Sequence, residues 1–226
     1  MLLYLVIGLA VLGLAAIGLA LSRARAALDR AGEENQKLAH DRQRLFDFMA
    51  LMAGAQGEGL SRQKLQQRIV HASIFCTGAL SGCLFERTER GTLRGVALEG
   101  LFPPHRPLSE AVRARLATRA KFIEEVLKGE EFPIHEGIVG RVAESRRGEW
   151  LADARSDPQL VKHDDPAVAV RSLIVVPLIF RDRFFGVLAV ANPVGDQIFS
   201  AGDFALMQAL AEQAALALHN AELLHR

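Results

Sequence analysis

The sequence predicts an α+β fold, in which a central antiparallel sheet is flanked by helices and preceded by an N-terminal transmembrane helix and a helical stalk. The strongest indication is a β-hairpin pattern: the apolar runs Ser172–Phe180 and Phe184–Ala191 flank a charged tip at Arg181–Arg183. Because Leu173–Val176 are consecutive apolar residues, both faces of the first strand are expected to be buried in mid-sheet. The uncharged N-terminal run and the further strand and helix patterns complete the prediction.

Composition limits the classes of function. The chain has 226 residues, half of them hydrophobic, which allows one domain with a sizeable core and additional segments. Its 27 basic and 26 acidic residues give a net charge of +1, so electrostatics offer no reason to propose nucleic acid as a partner. The two cysteines, Cys76 and Cys83, form neither a metal-binding pattern nor a disulfide framework.

Residues 1–22 carry no charged side chain and are predicted to form a transmembrane helix. As a helix, Leu2–Leu21 is about 30 Å long, which matches the hydrocarbon core of a bilayer. The alternatives are a buried soluble helix and a cleaved signal peptide, but no Lys or Arg precedes the long run. Arg23 and Arg25 follow it, so the positive-inside rule predicts a single-pass protein of the cell membrane with a cytoplasmic C-terminal domain and reduced cysteines.

Residues 23–55 are predicted to form a helical stalk that pairs as a parallel coiled coil. Two rows at seven-residue spacing carry the prediction: Leu21, Leu28, Asn35, Arg42 and Met49, and Ala24, Ala31, Leu38, Leu45 and Met52. The second row is wholly apolar, and a buried Asn in the first is typical of a parallel pair held in register. The alternative is a single solvated helix. The favoured interpretation makes the chain a parallel homodimer.

The globular domain is predicted to span residues 56–226, because Gly54, Gly57 and Gly59 loosen the chain at its start. Ser61 caps a helix that runs to about Ile74. A first hairpin follows, with strands Gly82–Thr88 and Thr92–Glu99. In its first strand Cys83 and Phe85 are expected on one face and Leu84 on the other.

The second half of the domain begins with a charged helix at Ser109–Leu127, for which Ser109 is the predicted N-cap. The remaining expected elements are a short helix from Gly137 to about Glu144, a strand at Gly148–Leu151, a polar loop at Asp153–Val168, the central hairpin, and a last helix at Ala201–Leu224. Ser200 and Asp203 have the spacing of a capping box for that helix.

These elements carry short motifs that resemble, in the same order, those of the GAF sensory domain family. The motifs are the Gly-x-x-Gly helix at Gly137–Gly140, Asp157-Pro158, Arg171-Ser172, Pro177-Leu178, Gly186-Val187-Leu188, Phe199 and Asp203. The resemblance implies a ligand pocket between the sheet and the Asp153–Val168 loop. The residues it implies as pocket lining are Cys83, Phe85, Trp150, Asp153, His163 and Ser172.

The ligands and reactions known for GAF domains match this chain poorly. The free methionine-R-sulfoxide reductase has a Cys where Val139 stands here, and another in the loop before the central hairpin, where His163–Val170 contains none. Cyclic-nucleotide-binding members have a Lys and a Glu where Pro193 and Phe204 stand here. Bilin attachment needs a suitably placed Cys, whereas both cysteines lie early in the domain.

No enzymatic motif accompanies the resemblance. The sequence has no phosphate loop, nucleophile elbow or zinc-binding helix, and the cluster His163–Asp165 reads as a solvated turn. We therefore expect a non-enzymatic signalling module that binds a small ligand of unknown identity or a protein partner, with no cofactor or metal assigned. The alternatives are a ligandless dimerisation module and a thiol-dependent reductase. The signal is expected to leave through the helices or through a separate output protein.

Overall fold

A computed structural model describes residues 61–105, 119–129, 131–163, 165–195 and 197–224, together with five helical residues nearer the N-terminus: Arg23, Arg25, Ala39, Gln43 and Phe46. The folded domain belongs to the compact unit Arg44–Arg226. The predicted transmembrane segment and all but those five stalk residues lie outside the described residues. Among the residues described, no helix combines the length and hydrophobicity needed to cross a membrane.

The domain is an α+β fold built on a six-stranded antiparallel sheet, as the sequence predicts. The helices are α1 (Arg62–Thr77), α2 (Arg119–Gly129), α3 (Gly137–Ser145) and α4 (Ala201–Leu224). The strands are β1 (Ala79–Arg87), β2 (Thr92–Glu99), β3 (Glu131–Pro133), β4 (Glu149–Leu151), β5 (Leu173–Phe180) and β6 (Arg183–Pro193). Their order across the sheet is β3-β2-β1-β6-β5-β4, and every neighbouring pair is antiparallel.

The predicted central hairpin is confirmed as β5 and β6. Both strands lie inside the sheet, and all four residues from Leu173 to Val176 are buried, because helices or loops cover both faces. The tip is shorter than predicted. Phe180 pairs with Arg183, so the turn consists of Arg181 and Asp182, and Arg181 takes up the extra bend with a φ of 54°.

The sheet separates two hydrophobic cores. On one side, which we call the helix side, α1 and α4 pack on Leu84, Ile174, Val176 and Leu188. On the other, the loop side, α2, α3 and the long loops pack on Cys83, Phe85, Val175 and Val187. The alternation predicted for β1 is therefore confirmed, because Cys83 and Phe85 face one core and Leu84 faces the other.

Polar contacts fix the ends of α1 and α4. The Ser61 hydroxyl accepts a hydrogen bond from the Lys64 amide at 3.4 Å, which confirms the predicted cap of α1. The capping box of α4 is also confirmed: the Ser200 amide donates to Asp203 Oδ2 at 2.9 Å, and the Asp203 amide donates to Ser200 Oγ at 3.2 Å. At the far end of α4, Glu222 accepts a hydrogen bond from Arg62 of α1 at 2.5 Å and forms an ion pair with Arg183 of β6 at 2.5 Å.

One strand was not predicted from the sequence, and one predicted helix is described only in part. Strand β3 is not predicted, because three residues are too few to show a period, and its pairing with Thr92–Arg94 of β2 alone defines it. The charged helix is described only as α2, Arg119–Gly129, so its predicted N-cap, Ser109, lies outside the described residues.

Candidate functional site

A cavity of about 50 Å³ lies on the loop side, between the sheet and the polar loop 153–168. Phe85 of β1 and Leu173 of β5 supply the sheet wall. Three further segments complete the lining: Phe102–His105, Glu136–Val139 and Gln159–Val161, together with Val170. A volume of this size holds a few waters or a compact ligand, since each water needs roughly 10–15 Å³ by the same measure.

The cavity is predominantly apolar. Ten of its fourteen lining residues are aliphatic, aromatic or proline, and the polar ones are His105, Glu136 and Gln159. The His105 ring stacks on Phe132 with ring centroids 4.1 Å apart. Phe85 lies edge-on to Phe102 at 5.9 Å and to Phe132 at 5.6 Å, so an aromatic cluster forms one wall. No Lys or Arg lines the cavity within the described part of the chain.

Gly140, the second glycine of the Gly-x-x-Gly motif, lets α3 pack closely against the turn that precedes it. A side chain at Gly140 would place its Cβ 2.7 Å from the carbonyl oxygen of Ile134. Only glycine therefore fits where the second residue of this pair meets the preceding turn. The close approach brings Ile138 and Val139, which lie between the two glycines, into the cavity lining.

The six predicted lining residues do not form one cluster. Phe85 lines the cavity, whereas Cys83 lies one step along the same strand face and is wholly buried in the loop-side core. His163 lies next to the lining residues. Its Nε2 is 2.9 Å from the carbonyl oxygen of Pro104, and this contact joins the polar loop to the lining segment Phe102–His105. Asp153 is exposed and holds Arg155 at 2.8 Å.

The other two predicted residues support the strands. The Ser172 hydroxyl is fully buried, donates to the Leu151 carbonyl at 3.1 Å and accepts from the Phe199 amide at 3.1 Å. Trp150 lies at the sheet edge, where its indole Nε1 donates to the Phe199 carbonyl at 3.0 Å and its ring stacks on Phe204. Neither residue is part of the cavity lining.

Asn192 accounts for part of the Arg171-Ser172 motif. Its Oδ1 accepts from the amides of Arg171 at 2.8 Å and Ser172 at 3.3 Å, and its Nδ2 donates to the Ala169 carbonyl at 2.8 Å. Asn192 has a φ of 54°, a conformation that asparagine tolerates better than most residues. Its role here is to close the loop before β5.

Arg141 connects several parts of this site, and sequence reasoning missed it. Its guanidinium binds Glu149 of β4 through Nη2 at 2.5 Å, Asp157 of the loop through Nη2 at 2.8 Å and Gln159 through Nη1 at 2.9 Å. Gln159 lines the cavity, so Arg141 fixes the loop wall to α3 and to the sheet edge. The only sequence signal was its position directly after the Gly-x-x-Gly motif, because its partners 8 to 18 residues away follow no period.

The hydrogen bonds from Arg141 lower the pKa of the Asp157 carboxyl. Ionised Asp157 is therefore stabilising above about pH 4, where it is also ionised in the unfolded chain, and this contribution is lost as the pH falls through the lowered pKa. We expect Arg141→Gln to reduce the free energy of unfolding by about 1–3 kcal/mol at pH 7, with a smaller deficit at pH 3. Urea unfolding followed by circular dichroism measures both values. Arg155→Gln is the control, and an Arg141→Gln deficit independent of pH would contradict the role of Asp157.

The two cysteines lie in different cores. Cys76 of α1 belongs to the helix side, and Cys83 of β1 belongs to the loop side. The sheet lies between them, so they do not form a redox pair with each other. Burial raises the pKa of the Cys83 thiol, which keeps it protonated and a poor nucleophile.

Comparisons with known proteins identify the family to which this fold belongs. Residues 59–219 match the sequence model of the GAF domain family. The domain is similar to the GAF domain of a phosphoenolpyruvate-protein phosphotransferase from Coxiella burnetii, with a TM-score of 0.60 and 16% identity over 80% of this chain and 96% of that chain. At this identity, the structural similarity concerns the fold alone.

Two further solved structures share this fold. The second GAF domain of DevS from Mycobacterium smegmatis has a TM-score of 0.54 and 19% identity, over 74% of this chain and 99% of that chain. The free methionine-R-sulfoxide reductase from Neisseria meningitidis, solved with its substrate, has a TM-score of 0.59 and 15% identity, over 81% and 90% of the two chains. Because one of these similar structures is an enzyme, the fold alone does not decide the function of this chain.

Proposed function

Because the chain belongs to the GAF domain family, we propose that it is a non-enzymatic signalling module that binds a compact, largely apolar ligand in the cavity between the sheet and the polar loop. The observation that carries the proposal is the cavity itself, which is lined mainly by apolar side chains with a few polar groups. Concave apolar sites of this kind, with a small number of orienting polar groups, are typical of small-molecule binding.

The charge of the lining residues favours a neutral or cationic ligand over an anionic one. Glu136 is the one formally charged residue among the described lining residues, and it is acidic. An anionic ligand would lose its hydration and gain no Lys or Arg partner there, which is costly. Neutral or cationic ligands do not face this penalty. Cyclic nucleotides fit poorly for the same reason, and Phe204, which replaces the Glu of that motif, packs on Trp150 instead.

The cysteines and Val139 favour binding over catalysis. Val139, where the reductase pattern has a Cys, lines the cavity and presents a hydrocarbon side chain to it. Cys83 and Cys76 are buried in separate cores, and neither is a lining residue. A thiol-dependent reductase is therefore not the function we propose. A ligandless dimerisation module remains the competing function, and a filled cavity distinguishes the two.

A matched set of small probes tests the proposal: isobutanol, isobutylammonium and isobutyrate, which share one branched apolar group and differ in charge. We expect isobutanol to bind the full chain with a dissociation constant of about 1–10 mM, as befits about five heavy atoms. Isobutyrate should bind at least about tenfold more weakly because of its unpaired charge. Ligand-observed NMR measures all three.

A pair of variants tests whether the probe binds in the cavity. Val139→Phe fills the cavity and should abolish isobutanol binding, whereas Val194→Phe, at an exposed position outside the lining, should leave it unchanged. Equal affinity for isobutanol and isobutyrate would contradict the proposed ligand class. Binding that survives Val139→Phe would place the ligand elsewhere.

We further propose that the module is anchored in the cell membrane by residues 1–22, faces the cytoplasm, and pairs as a parallel homodimer through the stalk, signalling to a separate output protein. The uncharged run, Arg23 and Arg25, and the heptad rows support this arrangement. Cysteine at Leu38, in a full chain without Cys76 and Cys83, should crosslink under mild oxidation in washed membranes. Cysteine at Gln36 should crosslink poorly. Equal yields, or loss of the chain from the washed membranes, would argue against the arrangement.

A further inference from the structure

Strand β4 contacts both Arg141, which binds a lining residue of the cavity, and the first turn of the last helix. It is three residues long, forms the outer edge of the sheet and pairs only with β5 among the described strands. Each residue makes a different contact. Glu149 accepts from Arg141, Trp150 donates to the Phe199 carbonyl, and Leu151 accepts from the Ser172 hydroxyl. A short edge strand moves at lower cost than an interior one, because fewer ladder bonds hold it.

On the cavity side, Arg141 joins the lining to this strand. Its guanidinium holds Gln159 of the lining at 2.9 Å, Asp157 at 2.8 Å and Glu149 of β4 at 2.5 Å. A guanidinium is planar and rigid, so a displacement at one partner changes the geometry at the others. An outward movement of Gln159 would therefore pull on the guanidinium that also holds Glu149, or break the hydrogen bond between Gln159 and Arg141.

On the helix side, Trp150 joins the strand to the start of α4. Its indole ring stacks on Phe204 with centroids 6.5 Å apart and an interplanar angle of 23°. Phe204 belongs to the first turn of α4, where its amide donates to the Ser200 carbonyl at 3.1 Å. The indole Nε1 also holds the Phe199 carbonyl, just before the capping box. Both contacts of Trp150 thus meet the beginning of α4.

The cavity is too small for most ligands unless part of its lining moves. Its volume, about 50 Å³, is well below the roughly 150 Å³ that accommodates benzene in an engineered cavity. A ligand larger than a few heavy atoms must displace a wall. The sheet wall at Phe85 and Leu173 is fixed in the core, whereas Gln159 is exposed on the loop. We therefore expect the loop wall, Gln159–Val161, to be the part of the lining that a larger ligand displaces.

We propose that occupancy of the cavity is transmitted to the first turn of α4 through β4, with Arg141 and Trp150 as the positioning residues that connect lining, strand and helix. The proposal rests on the proposed function for its ligand and adds the route by which binding would alter the start of α4. Arg141 contacts Glu149, and the next residue, Trp150, contacts the segment before α4. The proposed route therefore runs through β4 and not through the central hairpin.

The test uses a substitution as a stand-in for the ligand, so that it does not depend on the ligand's identity. Val139→Phe enlarges a lining side chain in the full chain, and Trp150, the only tryptophan, reports by its emission maximum. Hydrogen exchange of the amides from Asp203 to Leu206 reports on the first turn of α4. We expect Val139→Phe to shift the emission and speed the exchange, and both changes to disappear in an Arg141→Gln background.

Matched controls separate transmission from general damage. Val194→Phe adds the same ring at an exposed site and should move neither reading. An Arg155→Gln background removes a loop arginine that donates to Asp153, and it should preserve the Val139→Phe response. Far-UV circular dichroism establishes that each variant is folded. Val139→Leu, a one-carbon enlargement, replaces Val139→Phe if the latter does not fold.

The outcomes separate the route from the ligand. Unchanged emission and exchange in a folded Val139 variant, or changes that persist without Arg141, would overturn the proposed route. If isobutanol does not bind but the Val139→Phe response is present and requires Arg141, the proposed ligand class is wrong and the route stands. If isobutanol binds the wild-type chain, its saturation curve should coincide with the Trp150 emission change, and binding without any emission change would also overturn the route.

Discussion

Leu188→Ala and Val175→Ala are each expected to lower the free energy of unfolding by about 2–4 kcal/mol, from lost transfer free energy and the cavity left behind. Both side chains are fully buried on the central hairpin, Leu188 on the helix side and Val175 on the loop side. Since a typical domain has only about 5–15 kcal/mol in total, either loss is a large fraction of its stability. Denaturant unfolding of the full chain measures it.

The control for these truncations is Leu80→Ala on β1. Leu80 is 53% exposed, so its removal should change the free energy of unfolding by less than about 0.5 kcal/mol. Losses below about 1 kcal/mol for Leu188→Ala and Val175→Ala would show that the hairpin is not the stability core.

Gly186→Ala is expected to cost about 2–6 kcal/mol, because two penalties of about 1–3 kcal/mol act together. Gly186 lies in β6 with a φ of 153°, which L-residues rarely adopt. A Cβ there would overlap the carbonyl oxygen of Phe85 on the neighbouring strand. The backbone of β1 or β6 would have to shift, and Phe85 is a lining residue of the cavity. Both unfolding free energy and isobutanol affinity should therefore fall.

Two glycine variants divide these penalties. Gly195→Ala keeps the positive φ, at 74°, but has nothing within 4 Å of the new Cβ, so only the conformational strain should appear. Gly129→Ala, at the end of α2, has neither the unusual φ nor a near neighbour and should be neutral or slightly stabilising. If Gly186→Ala proved no worse than Gly195→Ala, the overlap with Phe85 would be relieved at no cost.

The elements that could be predicted from the sequence are those whose signal is local. The hairpin of β5 and β6 follows from long β-branched runs, and α4 follows from Ser200 and Asp203 at the capping-box spacing. Strand β3 could not be predicted, because Glu131–Pro133 is a strand only through its pairing with β2. The turn of Arg181 and Asp182 is one residue shorter than predicted, since the charge of Arg183 suggested a loop although its backbone pairs with Phe180.

The site was harder to predict than the fold because its residues meet through tertiary contacts. Phe85 was identified correctly as facing the loop-side core and also lines the cavity. Ser172 and Trp150 were predicted to line the pocket, yet the structure uses both to join β4 and β5 to the segment before α4. Arg141 lies among other surface arginines in the sequence, and only the folded chain brings Glu149, Asp157 and Gln159 around its guanidinium.

The separation of the two cores by the sheet has an evolutionary consequence. Substitutions on the loop side, at Val139 or Leu160 for example, reshape the cavity without entering the packing of α1 against α4. Distant substitutions with no shared neighbours change stability independently, so the lining of the cavity can vary in sequence while the packing of α1 against α4 is kept. The strand that we propose connects the two sides, β4, is then the place where such diversification should be most constrained.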